Sequence, residues 1–484
     1  MHENSGQEAA FWKKICELSP AWTEAHERAG DAWLGLNNFE RGLEAWRNAM
    51  AYQPTPDTAR LSELQLQDWW SFESRWDGNP PDRYPDLYTR SVQLLHHKQF
   101  DAHLDILKVG MEAQENFARR HQLDKFGLWF LREWTYAIGH IALLDLYVKM
   151  GILGLRREGI PVVLEPQPAN ACYLEYWRKY IPGIITNPEG VNMLKPLGER
   201  LEEHLHLVTM RDGRRLYHVA ALSEVERLWR ASGRGPLLKL TDEHVERGRS
   251  ALEKLGVPRE AWFVGLHIRH TGNNNSRNAA LEAYRPAIES IGARGGFVLR
   301  MGDRSMPNAP AMPNLIDYVH SDAYSDWMDV FIWGASRFYI GTNSGPILVP
   351  STFGVPCVAT NIAPIMASSP IVNGDNIGIY KTYWSKERRV HLPFAEVMES
   401  SLGMSESPER LSELGLELQD NSPAEINEAV IEMMERIENT ASYTTSDEEF
   451  QTKFKLLKPK TRYAHGYPHG RLGRDFLRRY KDLL

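Results

Sequence analysis

The chain has 484 residues, of which 42% are hydrophobic and 25% are charged, and its formal net charge is -7. This length predicts about three domains, each large enough to bury a core. The negative charge argues against a general nucleic-acid binder, which needs Lys and Arg to neutralise phosphates. The cysteines, Cys16, Cys172 and Cys357, have no disulfide or zinc spacing, and no apolar run approaches the ~20 residues of a membrane span. We therefore expect a soluble, cytoplasmic protein.

The first sixty residues contain an internal repeat. Trp12 and Trp46 are 34 residues apart, as are Pro20 and Pro54. The segment from Thr23 to Pro54 resembles a tetratricopeptide unit, and fewer than three such repeats rarely stand alone. We expect these helices to continue to about Trp70 and to pack on the rest of the chain. They could bind a peptide or protein partner, or form a helical cap with no ligand.

The next segment alternates between helix and strand patterns. Apolar residues recur at helical spacing between Leu87 and Leu123. The run from Leu128 to Gly154 predicts a strand, a loop at Gly139 and His140, and a helix. A second buried strand follows at Ile160 to Gln167, so the succession is typical of a βαβ unit that opens a first α/β domain.

Several helices surround the second α/β region. Helices are predicted near Leu194 to His206, from Ser223 to Ala231 and from Thr241 to Leu255, with a linker at Ser232 to Pro236. Another is predicted from Ala424 to Glu438, opened by Asn421, Ser422 and Pro423. The tail from Thr452 to Leu484 has ten Lys or Arg against two Asp, and its end reads as an amphipathic helix with Leu472, Phe476 and Leu477 inward.

Three apolar runs between Trp262 and Thr360 end abruptly at polar residues. Such runs are typical of buried parallel strands that open into loops, and ligands bind at the carboxyl ends of such strands. The sequence therefore predicts one sheet edge that holds the candidate binding residues His267, Arg269, Asp303, Asn343, Ser344 and Gly345.

The residue types at these strand ends suit a phosphate-bearing ligand. The guanidinium of Arg269 offers a fork of donors to a phosphate, and the alternative is a surface ion pair. Asp303 could accept from a ribose hydroxyl or a base, or it could form a turn. Ser344 and Gly345 allow close approach of a phosphate at the start of a predicted helix.

The strings HIRHTG, VLRMGD and YIGTNSGPILVPSTFGVPCV, in this order, resemble the three motifs of the fucosyltransferase-like superfamily of two-Rossmann-domain (GT-B) glycosyltransferases. The chain from Glu133 onward also looks similar to a bacterial family assigned as glycosyltransferases. The resemblance implies that Arg269 grips the donor diphosphate, Asp303 helps to hold the nucleoside and Ser344 caps the phosphates. It favours a GDP-sugar slightly, although His270-Thr271-Gly272 departs from many relatives.

Inverting transfer of a sugar needs a base and a positive environment for the leaving diphosphate. His140 is the first candidate for the base because its pKa suits the task, and Glu165, after the run IPVVLEP, is the second. No DxD pattern stands at a convincing strand end, so we expect no metal and no cofactor beyond the nucleotide sugar. His465, His469 and Arg471 belong either to a segment near the donor or to a solvated tail.

These features predict an α/β protein with two Rossmann-like domains facing a cleft (GT-B type), preceded by an all-α region. The predicted divisions are a tetratricopeptide-like region at 1–125, an acceptor domain at 126–235, a donor domain at 236–450, and a basic tail with a crossing helix at 451–484. The expected activity is sugar transfer to a sugar, natural-product or peptide hydroxyl. The alternatives are a peptide-binding scaffold with an inactive transferase domain, and a nucleotide-sugar epimerase or hydrolase.

Overall fold

The structure is a computed structural model that describes residues 2–20, 100–120, 122–198, 201–270, 276–365, 369–400, 408–457 and 468–484, with isolated positions between 22 and 45 and at 403. Several predicted features lie largely or wholly outside the described residues: the repeat from Thr23 to Pro54 and its continuation to Trp70, the polar run from Thr271 to Ser276 that follows Arg269, and His465. In the part described, no helix is both long and apolar enough to cross a membrane.

The described chain forms two compact units. The first comprises the described residues of Met1–Leu94, Ala102–Tyr136 and Gly154–Arg215, and the second those of Leu95–Asp101, Ala137–Leu153 and Leu216–Leu484. The α-helices are His2–Leu18, Phe100–Arg120, Ile138–Ala142, Leu144–Ile152, Ala171–Tyr176, Pro188–Gly198, His218–Ala231, Asp242–Lys254, Arg285–Ala293, Asp326–Ala335, Val349–Thr352, Phe394–Met398, Pro408–Glu413, Pro423–Ile437, Thr445–Leu456 and Arg474–Arg479.

The first unit contains a three-stranded parallel sheet. Its strands are β1 (Leu128–Phe130), β2 (Ile160–Leu164) and β3 (Gly183–Ile185), paired in the order β1-β2-β3. Strand β4 (Leu207–Thr209) also lies in this unit and pairs with β5 (Arg215–Tyr217), which begins at the last residue of the unit. Helix His2–Leu18 packs on this sheet, because a Cβ added to Gly183 would lie 2.6 Å from the ring of Phe11. The N-terminal helix and the first sheet therefore share one core.

The second unit is built on a seven-stranded parallel sheet. The remaining strands in chain order are β6 (Phe263–His267), β7 (Phe297–Met301), β8 (Leu315–Ile316), β9 (Tyr339–Thr342), β10 (Cys357–Ile362), β11 (Ile377–Tyr380), β12 (Thr382–Ser385), β13 (Val390–His391), β14 (Leu416–Gln419) and β15 (Arg471–Leu472). The order in the large sheet is β15-β11-β10-β9-β6-β7-β8, and each adjacent pair is parallel. The predicted alignment of three strand ends on one sheet edge is confirmed.

Helix ends in this unit follow the capping rules. The Thr241 side chain accepts from the backbone of His244 at the start of helix Asp242–Lys254. Ser422 and Glu425 form a full capping box at helix Pro423–Ile437, in agreement with the predicted start at Asn421 to Pro423. Gly248 allows close packing of helix Asp242–Lys254, because a Cβ there would lie 2.2 Å from the ring of Phe331.

The described part of the C-terminal tail belongs to the second unit. Strand β15 pairs in parallel with β11 at the edge of the sheet, and the Arg471 guanidinium lies 2.8 Å from Glu448. Leu472, Phe476 and Leu477 are buried, as predicted. The alternative of a solvated tail is therefore wrong for residues 468–484.

The packing differs from the sequence interpretation around His140. Gly139 and His140 lie inside helix Ile138–Ala142, where a loop was expected. Strands β1 and β2 are parallel as a βαβ unit requires, yet the two helices between them belong to the second unit. Residues 216–235, expected in the acceptor domain, also belong there. A sequence pattern places strands and helices along the chain, whereas long-range contacts decide which core each helix joins.

Candidate functional site

The strand order of the large sheet reverses between β6 and β9. From β6 the chain moves to β7 and β8 on one side, then returns to β9 on the other side. Ligands of open parallel sheets bind at the carboxyl ends of strands beside such a point. Arg269 follows β6 here, and its backbone N–H donates to the Thr342 hydroxyl at the end of β9, at 2.9 Å. Two strands that are distant in sequence thus fix the backbone from which the Arg269 side chain extends.

His267 closes β6 at this edge. Its Nδ1 atom is shielded from solvent and has no hydrogen-bond partner among the described residues. Burial, assisted by Arg269, lowers the pKa of His267 to about 4. The imidazole is therefore neutral at physiological pH and can donate or accept a hydrogen bond, but it does not supply a positive charge.

Asp303 follows β7 and is exposed. The hydroxyl and the backbone N–H of Ser305 both donate to its carboxylate, the latter at 2.8 Å, and these bonds lower the pKa of Asp303. The backbone N–H of Met306 donates to the Asp303 carbonyl. Asp303 thus stabilises a turn, the structural role that the sequence left open, and its carboxylate remains ionised and exposed.

Asn343, Ser344 and Gly345 follow β9 in a tight turn. The Asn343 side-chain amide donates to the Ala363 carbonyl at 2.9 Å, so Asn343 positions the loop. Ser344 is extended and its side chain does not cap the next turn. That turn is a 3-10 helix, Gly345–Leu348, followed by the four-residue helix Val349–Thr352. Because this helix is so short, the expected contribution of its dipole to anion binding is small. The groups of this turn that can donate to an anion are the backbone N–H groups and the Ser344 hydroxyl.

Gly345 lies against Gly139. A Cβ built on Gly139 would come within 2.6 Å of the Gly345 Cα, so two backbones meet without intervening side chains. This contact brings helix Ile138–Ala142, and with it His140, next to the turn after β9. The sequence predicted His140 in the acceptor domain, whereas it lies in the unit that contains the large sheet.

Glu165 lies at the carboxyl end of β2 in the first unit. The hydroxyl of Thr135 donates to its carboxylate at 3.3 Å, and the backbone N–H of Gln167 donates at 3.0 Å. The side chain is partly exposed. Glu165 therefore has the position that the sequence predicted, at a strand end, and its carboxylate is oriented by two donors.

A cavity of about 450 Å³ lies beside the ends of β6 and β7. Its lining includes Ile268 and His270 after β6, Arg300 in β7, and residues 306–308 after β7. The sequence interpretation missed Arg300. A charge inside the otherwise apolar run Phe297–Met301 was the available signal, because a buried Arg needs a partner or a ligand.

Two buried cationic side chains form ion pairs at this cavity: Arg300 lines it, and Lys381 contacts the lining residues Asn278 and Asp420. Arg300 is 4% exposed, and its guanidinium lies 2.8 Å from the Asp317 carboxylate. This carboxylate also accepts a hydrogen bond from the backbone N–H of Ala309. The ammonium of Lys381 lies 2.6 Å from Asp420 and donates to the Asn278 carbonyl. Arg300 Nε is shielded from solvent and has no hydrogen-bond partner among the described residues.

The chain has a distant structural similarity to a glycosyl transferase. No family model and no curated protein matches the chain. Among solved structures, it is similar to a glycosyl transferase family 9 protein from Veillonella parvula DSM 2008, with a TM-score of 0.36 and 11% identity over 65% of this chain and 97% of that one.

Proposed function

We propose that this protein is a glycosyltransferase that moves a sugar from a nucleotide diphosphate sugar to an acceptor hydroxyl. The observation that supports the proposal best is the edge between β6 and β9, where Arg269, Ser344 and Gly345 follow the strand ends. A guanidinium, a hydroxyl and a glycine turn suit a diphosphate, and the cavity at β6 and β7 is large enough for a nucleoside.

Each group has a role in the proposed reaction. Arg269 and Ser344 bind the diphosphate, while Asp303 and Arg300 contact the nucleoside, for which guanine is slightly preferred. The acceptor oxygen bonds to the anomeric carbon as the bond to the diphosphate breaks, which inverts the configuration. Positive charge on Arg269 stabilises the leaving diphosphate, so the transfer proceeds without a metal ion at this edge.

The acceptor proton needs a base. His140 is the first candidate, and its backbone neighbour Gly139 contacts the turn at Gly345. Glu165 is the second, with a carboxylate oriented by Thr135 and Gln167. The kcat of the His140→Ala and Glu165→Gln variants separates the two, because only the loss of the base lowers kcat while leaving nucleotide affinity unchanged.

Thermal stabilisation by UDP, GDP, CDP and dTDP tests the proposal directly. A ligand that binds only the folded state at 100 times its Kd stabilises it by about 2.7 kcal/mol. We expect at least one of these nucleotides to stabilise the protein and Arg269→Ala to abolish the effect. Arg294→Ala, which removes an exposed guanidinium from the same unit, is the matched control. Unchanged affinity of Arg269→Ala for every nucleotide would overturn the assignment.

Product analysis distinguishes transfer from other reactions of a nucleotide sugar. A transferase consumes the donor only when an acceptor is present. Release of free sugar without an acceptor would indicate a hydrolase, and appearance of an isomeric nucleotide sugar would indicate an epimerase. A protein that binds no nucleotide but captures a peptide would instead be a scaffold.

A further inference from the structure

Two glutamates and a histidine, residue types that can ligate metals, lie close together in the first unit. One ligand atom from each of Glu133, Glu202 and His204 lies within 4.8 Å of the other two, and the His204 Nδ1 to Glu133 Oε2 distance is 4.0 Å. Glu202 is 5% exposed and His204 0%. The Glu133 side chain is 14% exposed.

The backbone brings these side chains together. Glu202 forms a parallel bridge with Phe130 of β1, and the Glu203 N–H donates to the Phe130 carbonyl at 2.9 Å. Alternate residues of an extended chain share a side, so Glu202 and His204 face one way and Glu203 the other. Glu133 follows the carboxyl end of β1 by three residues. The ligand atoms therefore gather at the edge where parallel sheets bind ligands.

Glu203 shows how the opposite side of this segment is used. Its carboxylate lies 2.8 Å from the Arg157 guanidinium, and its carbonyl accepts from the Trp134 indole N–H at 2.8 Å. These contacts fix the extended segment on both sides of Glu203. The positions of Glu202 and His204 are thus set by strand pairing and by a neighbouring ion pair, which is the rigid support that a metal site requires.

The charges in the cluster favour a cation. The carboxyl groups of Glu133 and Glu202 lie close together, and two like-charged groups at one place favour a cation between them. The Arg132 guanidinium lies 3.3 Å from Glu202 Oε2 and is one-third exposed, so it neutralises one carboxylate from the outside.

We propose that Glu133, Glu202 and His204 bind a divalent transition-metal ion of the zinc class. Two carboxylate oxygens and one imidazole nitrogen form a ligand set that zinc accepts at about 2.0–2.2 Å. The imidazole disfavours Mg²⁺ and Ca²⁺, which prefer oxygen ligands. Three protein ligands leave a coordination position for water or another small ligand. The cluster belongs to the first unit, whereas Arg269 and Ser344 belong to the second.

Metal content and metal titration of the full-length protein test this inference. Protein incubated with Zn²⁺ and dialysed should retain one ion per chain by mass spectrometry. Protein stripped with a chelator and titrated with Co²⁺ should show the visible absorption of a nitrogen- and oxygen-ligated ion. Glu133→Gln and His204→Ala should weaken Zn²⁺ binding by more than about 100-fold, since loss of a mere outer-shell partner costs about 10- to 100-fold.

Glu189→Gln is the matched control, because Glu189 is an exposed glutamate of the same unit. It should retain the ion with wild-type affinity. Glu133→Gln preserves the size of the side chain, so it remains informative if His204→Ala fails to fold. Absence of bound ion in the wild type, or equal binding by the wild type, Glu133→Gln and Glu189→Gln, would overturn the proposal and indicate a cluster that holds only protons. Nucleotide binding measured on the same samples reports separately on the proposed transferase function.

Discussion

The strands of the seven-stranded sheet end at Arg269 and the Ser344-Gly345 turn, whereas those of the three-stranded sheet end near Glu133 and Glu165. Both sheets are parallel, and both place polar groups at their carboxyl edges. The large sheet offers a guanidinium, a hydroxyl and backbone donors, which suit an anion. The small sheet offers carboxylates and the His204 imidazole, which suit a cation or a transferable proton.

This difference shows that a shared sheet geometry sets where a ligand binds but not its charge. Parallel pairing aligns the strand ends, and the residues that follow each strand decide the chemistry. In the large sheet those residues are ordered by contacts such as the Arg269 N–H to Thr342 hydrogen bond. In the small sheet they are ordered by the bridge between Phe130 and Glu202.

The largest expected effect on stability tests the close packing of Gly139 against Gly345 in the turn after β9. Gly139→Ala places a Cβ 2.6 Å from the Gly345 Cα, where only backbone movement can relieve the overlap. We expect the free energy of unfolding to fall by about 3 kcal/mol, the upper end for overpacking. Gly235→Ala, where an added Cβ meets open space, should change it by less than about 0.5 kcal/mol. Urea denaturation measures both, and equal stability of the two variants would contradict the observed contact.

Arg300→Met should have an intermediate effect on the free energy of unfolding, and it tests whether the cavity binds the nucleoside. The substitution removes the guanidinium that lies 2.8 Å from Asp317, although Asp317 keeps the Ala309 N–H and the His320 ring, each at 2.9 Å. We expect the free energy of unfolding to fall by about 2 kcal/mol, which is less than the cost of leaving a buried charge with no partner. Nucleotide binding, measured by calorimetry, should also weaken. Arg294→Met is the control, and wild-type nucleotide affinity in Arg300→Met would exclude Arg300 from the nucleoside site.

The smallest effect on stability is expected for Ser344→Ala. The Ser344 side chain does not cap the following turn, so the free energy of unfolding should change by less than about 0.5 kcal/mol. Loss of a hydrogen bond to a charged phosphate should nevertheless reduce nucleotide affinity about tenfold. Ser412→Ala, at an exposed serine of the same unit, should change neither quantity. Unaltered nucleotide affinity in Ser344→Ala would separate this edge from phosphate binding.

Local patterns predicted much of the second unit. The apolar runs before His267 and Asp303, and the run before Asn343, formed parallel strands because a buried strand must be apolar and must stop where polar residues begin. Helix Pro423–Ile437 began where Ser422 could cap it. The predicted roles of Arg269, Asp303, Ser344, His140 and Glu165 in binding or catalysis remain predictions.

The sequence by itself determined the order of the strands along the chain and the residues that end each strand, since both depend on neighbours in the chain. Only the tertiary structure decided which of those ends meet. Glu133 approaches His204 across seventy-one residues, and Gly139 meets Gly345 across two hundred and six. Such contacts follow from strand pairing and from which core buries each helix, and these long-range choices leave no periodic signal in a single sequence.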